Sequence, residues 1–202
     1  MAGAPLPIYY DFNSPYGYIG AHLITDLAAR HGRTVDWHPT LLGAIFKVTG
    51  SGPLPNVPLK GEYSKRDFAR SAGMYGLPYA MPAEHPFSPV AASRAVIWAK
   101  GEGGEDAARR MTLALYDAVW ADGKSIAGAE ATADVAAAAG FDRDAVLAGV
   151  NDGDVKAALM ADVEDAISKG VFGSPFVLVD GEPFWGVDRF TMIEKWLKTG
   201  GW

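Results

Sequence analysis

Residues 7–16 read Pro7-Ile8-Tyr9-Tyr10-Asp11-Phe12-Asn13-Ser14-Pro15-Tyr16. The run Pro7–Phe12, rich in aromatic and β-branched residues, predicts a short strand. Asn13-Ser14-Pro15 stops it and opens a helix, because Asn or Ser caps the first free N–H groups and proline suits the first helical position. Tyr16, Ile19, Leu23, Ile24, Leu27 and Ala28 follow at helical spacing, and Gly32 is placed to end the helix. Thr34–His38 (TVDWH) then predicts a second strand. A strand, a helix and a strand in so short a span favour a right-handed crossover and a parallel pair.

Working outward, the chain's other end predicts the complementary half. Phe176–Val179 (FVLV) reads as a strand, Asp180-Gly181 as a hairpin turn, and Glu182–Trp185 as its partner, with Pro183 pointing to an edge. Asp188–Lys198 predicts a closing helix with Phe190, Ile193 and Leu197 on one face. Leu41–Thr49 reads as a short helix, and Gly50–Pro58 (GSGPLPNVP) as a loop. The Ala-rich middle predicts helices over Glu62–Tyr75, Pro89–Lys100, Glu105–Ala121, Ala129–Ala139, Arg143–Val150 and Val155–Lys169, with Gly101–Gly104 as a loop. The order is βαβ, a helical block, then ββα. This is an α/β chain in the thioredoxin order, with a large all-helical insertion in its middle. The expected division is a discontinuous thioredoxin-like domain over 1–50 and 170–202 and a helical insertion domain over 51–169.

Composition narrows the chemistry. In 202 residues, 49% are hydrophobic and 21% charged, enough for a sizeable core and unlike a disordered chain. A net charge of −6 argues against binding nucleic acid, which needs clustered Lys and Arg. The chain has no cysteine, which excludes disulfides, thiolate metal sites and a dithiol redox cycle of its own. The start MAGAPLPIYYDF has no basic segment followed by an apolar run, and no apolar stretch has bilayer length. A cytoplasmic protein with no membrane partner is expected. His22, His31, His38 and His85 show no zinc-ligand spacing, and Gly50-Ser51-Gly52 is no nucleophile elbow.

Three places remain as candidates. Ser14 lies at a helix N-terminus, where free N–H groups and the helix dipole stabilise an anion and depress a thiol pKa. Its ordinary role is a helix cap, and both readings stand from the residues alone. Ser174-Pro175 precedes a strand. It is either a simple turn or a cis-proline that exposes the Ser174 backbone to an extended ligand. Asp188 reads as the cap of the last helix or as the acceptor of a ligand ammonium group. Lys47, Asn56 and Lys60 surround the Gly/Pro loop, where lysines are usually just solvated. Phe12, Tyr16, His85, Phe87, Phe184 and Trp185 are candidates for an apolar pocket, although each such residue is more often core.

The stretches YYDFNSPYGYIGAHLI, PTLLGAIFKVTG and GVFGSPFVLVDGEPFWGVDRF together resemble 2-hydroxychromene-2-carboxylate isomerases. These are relatives of the kappa-class glutathione transferases and, more distantly, of DsbA-like oxidoreductases. The resemblance implies glutathione as cofactor, with Ser14 stabilising its thiolate. It implies that the tripeptide lies along Ser174 beside a cis-Pro175, with its γ-glutamyl end near Val187 and Asp188. Lys47, Asn56 and Lys60 fall where polar contacts to glutathione or to a substrate carboxylate are implied. Ser174 departs mildly from an aliphatic pattern. Phe12, Tyr16, His85 and Trp185 are the expected substrate pocket. The implied activity is cis-trans isomerisation of 2-hydroxychromene-2-carboxylate, or a similar small aromatic pyruvate of naphthalene breakdown, in a homodimer. The alternatives are a kappa-like transferase that conjugates electrophiles and a non-redox peptide-binding adaptor on the same fold.

Overall fold

A computed structural model describes residues 3–202. The first strand, β1 (Leu6–Tyr10), runs into helix α1 (Pro15–Arg30) and then strand β2 (Val35–Pro39). β1 and β2 pair in parallel, with Leu6 opposite Val35 and Tyr10 opposite Pro39. The closing half is β3 (Phe176–Val179), β4 (Glu182–Trp185) and helix α8 (Phe190–Thr199). β3 is antiparallel to both β1 and β4, so the four strands lie in the order β2-β1-β3-β4. Asp180 and Gly181 turn the hairpin with φ of 53° and 94°, the positive values that match a two-residue turn to the strand twist. Pro183 sits on the edge strand β4, where a missing N–H costs no ladder bond.

Between β2 and β3 come α2 (Leu42–Thr49), α3 (Lys60–Met74), α4 (Val90–Tyr116), α5 (Ala129–Ala138), α6 (Arg143–Asn151) and α7 (Gly153–Ser168). α4 is two helical segments joined across a kink, with Gly103 and Gly104 outside helical geometry, as expected of helices over 89–100 and 105–121 parted by a loop at Gly101–Gly104, and a π turn over Asp117–Ala121 follows it. One feature differs from the expectation. The last helix begins after a 3-10 turn at Val187–Arg189, so Asp188 lies in that turn and not at the helix cap. A side chain there has no free helical N–H to reach; the Asp188 carboxylate pairs instead with Arg189 at 2.7 Å. Among the described residues no helix is long and apolar enough to cross a membrane.

The kink in α4 covers the open edge of β2. Glu105 accepts from the Trp37 N–H at 3.0 Å, and Lys100 donates to the Trp37 carbonyl at 3.2 Å and pairs with Asp36. An edge so occupied offers no template for another strand. On one face of the sheet, Leu6, Ile8, Tyr10, Trp37 and Val177 join a core that continues into α1, α4, α5, α6 and α8. On the other, Tyr9 and Phe176 pack with Ile45 of α2 and Ala166 of α7. His38 stacks on Tyr9 at 4.9 Å and bonds Asp36 and Asp162, which ties β2 to α7. Burial opposes its charge, yet the two carboxylates hold the imidazolium and carry it up to about 9.

Helix α4 also sets the loop after β1. Tyr116 donates to the Asp11 carbonyl and the Trp120 indole to the Phe12 carbonyl, both at 2.9 Å, while Tyr10 meets Thr112. Tyr10, Tyr116 and Trp120 are fully buried. Each hydroxyl and indole N–H is therefore satisfied inside the core, at the point where the chain enters α1.

Candidate active site

Ser14 is the N-cap of α1. Its Oγ accepts from the Gly17 N–H at 3.0 Å and donates to the Ser174 carbonyl at 2.9 Å. Proline at the first helical position leaves Tyr16 as the next first-turn N–H, one with no intrahelical acceptor. The junction is tight. A Cβ on Gly17 would fall 2.4 Å from the Tyr116 hydroxyl and 2.7 Å from Ser174 Oγ, so only glycine lets α1 lie this close. The Ser174–Pro175 bond is cis, as is His85–Pro86. Ser174 turns its hydroxyl inward to accept from the Asp11 N–H at 3.1 Å, which leaves backbone, not side chain, toward the site.

Asp11, which the sequence reading left unused, organises this junction. It is 1% exposed. Its carboxylate accepts from the Asn13 N–H at 2.8 Å and from the Leu42 N–H at 2.7 Å, and so joins the Ser14 loop to the start of α2. Burial pushes this carboxyl up to about 6, against the pull of those N–H groups. Its sequence signal was an acid inside an otherwise apolar strand. Asn13 in turn clasps Phe87 by reciprocal 2.9 Å hydrogen bonds, and His85 Nε2–H donates to the Asn13 carbonyl at 2.9 Å. Burial holds the His85 imidazole below its ordinary value.

These elements enclose a cavity of about 1290 Å³. Ser14, Tyr16, Lys47, Lys60, His85, Ser174, Trp185, Val187 and Asp188 all line it, as do Phe87 and Asp11. Leu42, Phe46, Leu54, Phe68, Met74 and Tyr75 supply apolar wall. Trp185 lies against Gly173 and Phe172 at the rim. Lys47 and Lys60 are exposed and form no ion pair among the described residues.

Other expected residues do not line it. Phe12 lies in the turn after β1 and is fully buried between Tyr10 and Tyr116. Phe184 also faces inward, against Trp196. Asn56 is exposed on a 3-10 turn whose neighbours Leu54, Pro55 and Val57 point to the cavity instead. Pro175 is buried behind Ser174, against α1 at Gly20. Asp67 on α3 lines the cavity and was missed, since an acid on a polar helix has no distinguishing pattern in sequence.

The site is thus a helix N-terminus with a capping serine, a cis-proline backbone, an acid and cations around a chamber larger than one small ligand needs. The 2-hydroxychromene-2-carboxylate isomerase of Sphingobium xenophagum is 28% identical over 95% of this chain and 97% of its own. Glutathione S-transferase kappa 1 of Rattus norvegicus is 24% identical over 98% of this chain and 95% of its own. A solved 2-hydroxychromene-2-carboxylate isomerase superposes with a TM-score of 0.83, at 27% identity, over 97% of this chain and 95% of that one. The DSBA-like thioredoxin domain matches residues 6–198, and the chain belongs to that family.

Proposed function

We propose that this protein is a glutathione-dependent cis-trans isomerase of 2-hydroxychromene-2-carboxylate or a similar aromatic pyruvate. The observation that carries the reading is Ser14 at the α1 N-terminus, against the Ser174 carbonyl, at the floor of a chamber with room for a tripeptide and a second small molecule. The donor set suits glutathione. The Ser14 hydroxyl and the Tyr16 N–H face an anion with the positive end of the helix dipole. Ser174 offers backbone to an extended peptide, and Asp188 a carboxylate to an ammonium group. When bound, glutathione would supply a thiolate nucleophile for reversible addition to the substrate's conjugated double bond, a catalyst that is not consumed.

The chain's own residues do the rest. Ser14 Oγ–H turns from the Ser174 carbonyl to the sulfur and holds it ionised. Lys47 or Lys60 pairs with the substrate carboxylate. The Leu42, Phe46 and Phe87 walls exclude water from the aromatic part. Asp188 shares its carboxylate between Arg189 and the γ-glutamyl ammonium. A homodimer and a cytoplasmic location belong to the same reading.

Calorimetric titration with reduced glutathione tests it, with Asp188→Ala as control. Saturable binding that weakens in the variant, followed by turnover without loss of glutathione, is the expected outcome. The relationship to kappa-class transferases supports a second reading, conjugation of electrophiles at the same site, and stoichiometric consumption of glutathione would select it. No binding at millimolar glutathione, with binding of unfolded peptide instead, would overturn both in favour of an adaptor.

A further inference from the structure

Tyr16 and Asp67 form a polar pair in the cavity wall. The Tyr16 hydroxyl donates to Asp67 Oδ2 at 2.5 Å. Asp67 is held in place by Arg70 at 3.2 Å and by the Tyr63 hydroxyl at 3.3 Å, both from its own helix. The Tyr16 ring is fixed edge-on against Phe68, with centroids 5.2 Å apart. Neither side chain is needed by the glutathione chemistry outlined above. Burial and the neighbouring carboxylate keep the phenol protonated well above its ordinary range.

A phenol has one proton and two acceptor lone pairs, and a carboxylate only accepts. With the proton committed to Asp67, Tyr16 has nothing left to donate. Any further bond it makes must be one it accepts. We infer that Tyr16, oriented by Asp67, is a specificity residue that selects substrates carrying a hydroxyl donor on the aromatic ring. A group offering only acceptors would face two sets of lone pairs. The inference rests on the aromatic-pyruvate reading, whose ring-opened acid carries such a phenolic hydroxyl. It says which member of that class the chamber prefers. Asp67 is a positioning residue, acting through the Tyr16 hydroxyl.

The test compares direct binding of trans-2-hydroxybenzylidenepyruvate and trans-benzylidenepyruvate, followed by tryptophan fluorescence. The intact protein should prefer the hydroxylated acid about tenfold, the discrimination expected of one hydrogen bond at a partly buried acceptor. In Tyr16→Phe/Asp67→Ala, which also removes the carboxylate that the single change would leave free to accept a hydroxyl, the ratio of the two affinities should fall to about one. Equal affinities in the intact protein, or a ratio retained in the double variant, would overturn the inference, as would failure to bind either acid. Glutathione titration of the same samples keeps the parent reading separate: a protein that binds glutathione but does not discriminate the acids refutes only the role of Tyr16.

Discussion

Replacing Ser14 with alanine separates a structural cap from a chemical one. Ser14 Oγ is the acceptor for the Gly17 N–H and the donor to the Ser174 carbonyl, in a residue only 7% exposed. Losing a serine cap costs about 0.5–2 kcal/mol, and for a chain of this length each kcal/mol is roughly 2–4 °C in Tm. Ser14→Ala should therefore melt about 1–8 °C lower and still fold, since the Tyr116 and Trp120 bonds hold the same loop. That much follows from capping alone. If the hydroxyl also donates to a bound thiolate, a hydrogen bond to a charged group worth about 1.5–3 kcal/mol disappears as well. At about 1.36 kcal/mol per pH unit, the bound thiol pKa should rise by about 1–2, with a turnover loss on the order of ten- to a hundredfold. The assay is the ultraviolet thiolate absorbance of bound glutathione as a function of pH, run beside thermal melts. A lower Tm with an unchanged thiol pKa would refute the thiolate role and leave Ser14 as a cap only.

Three further outcomes are expected. Ser14→Cys should place a thiol at the same helix end with a pKa below the ordinary value of about 8.5, and oxidised glutathione should then add one glutathionyl group by mass; a thiol that titrates normally would show that the helix end does not act on this position. Asp11 binds its proton more readily folded than unfolded, so its ionisation removes stability as the pH rises from its ordinary range through about 6. Asp11→Asn should accordingly gain on the parent protein between pH 4.5 and 7.5, by about 1–2 kcal/mol in denaturant titrations, and a pH-independent difference would contradict the raised pKa. His38 has the opposite linkage: its charge contributes fully below its unfolded pKa near 6.5 and is lost as the pH rises through about 9. His38→Gln should remove that alkaline decline in Tm, and an identical decline in the variant would assign it elsewhere.

The elements of the two terminal halves were legible because each is decided locally. PIYYDF followed by NSP is a strand meeting a capped helix, and DG between FVLV and EPFW is a two-residue turn. The same locality made Ser14, Ser174 and Asp188 visible as candidates. It misled at Asp188, which lies in a 3-10 turn and not at the cap of α8. Phe12 and Asn56 failed for a related reason. Period and composition say that a residue is apolar or in a loop, but the face it presents depends on packing by distant segments.

The sequence by itself determined the strand-helix order, the absence of any thiol chemistry of the chain's own, and the serine at a helix N-terminus. These depend on backbone preferences over a few residues and on simple counts. Only the tertiary structure decided that Asp11 reaches the Leu42 N–H, that Tyr16 gives its proton to Asp67, and that one cavity joins residues from both ends of the chain. Those pairs lie 31 and 51 residues apart. Their hydrogen bonds exist only once the core has excluded water and fixed the opposing backbones, a condition that no local pattern encodes.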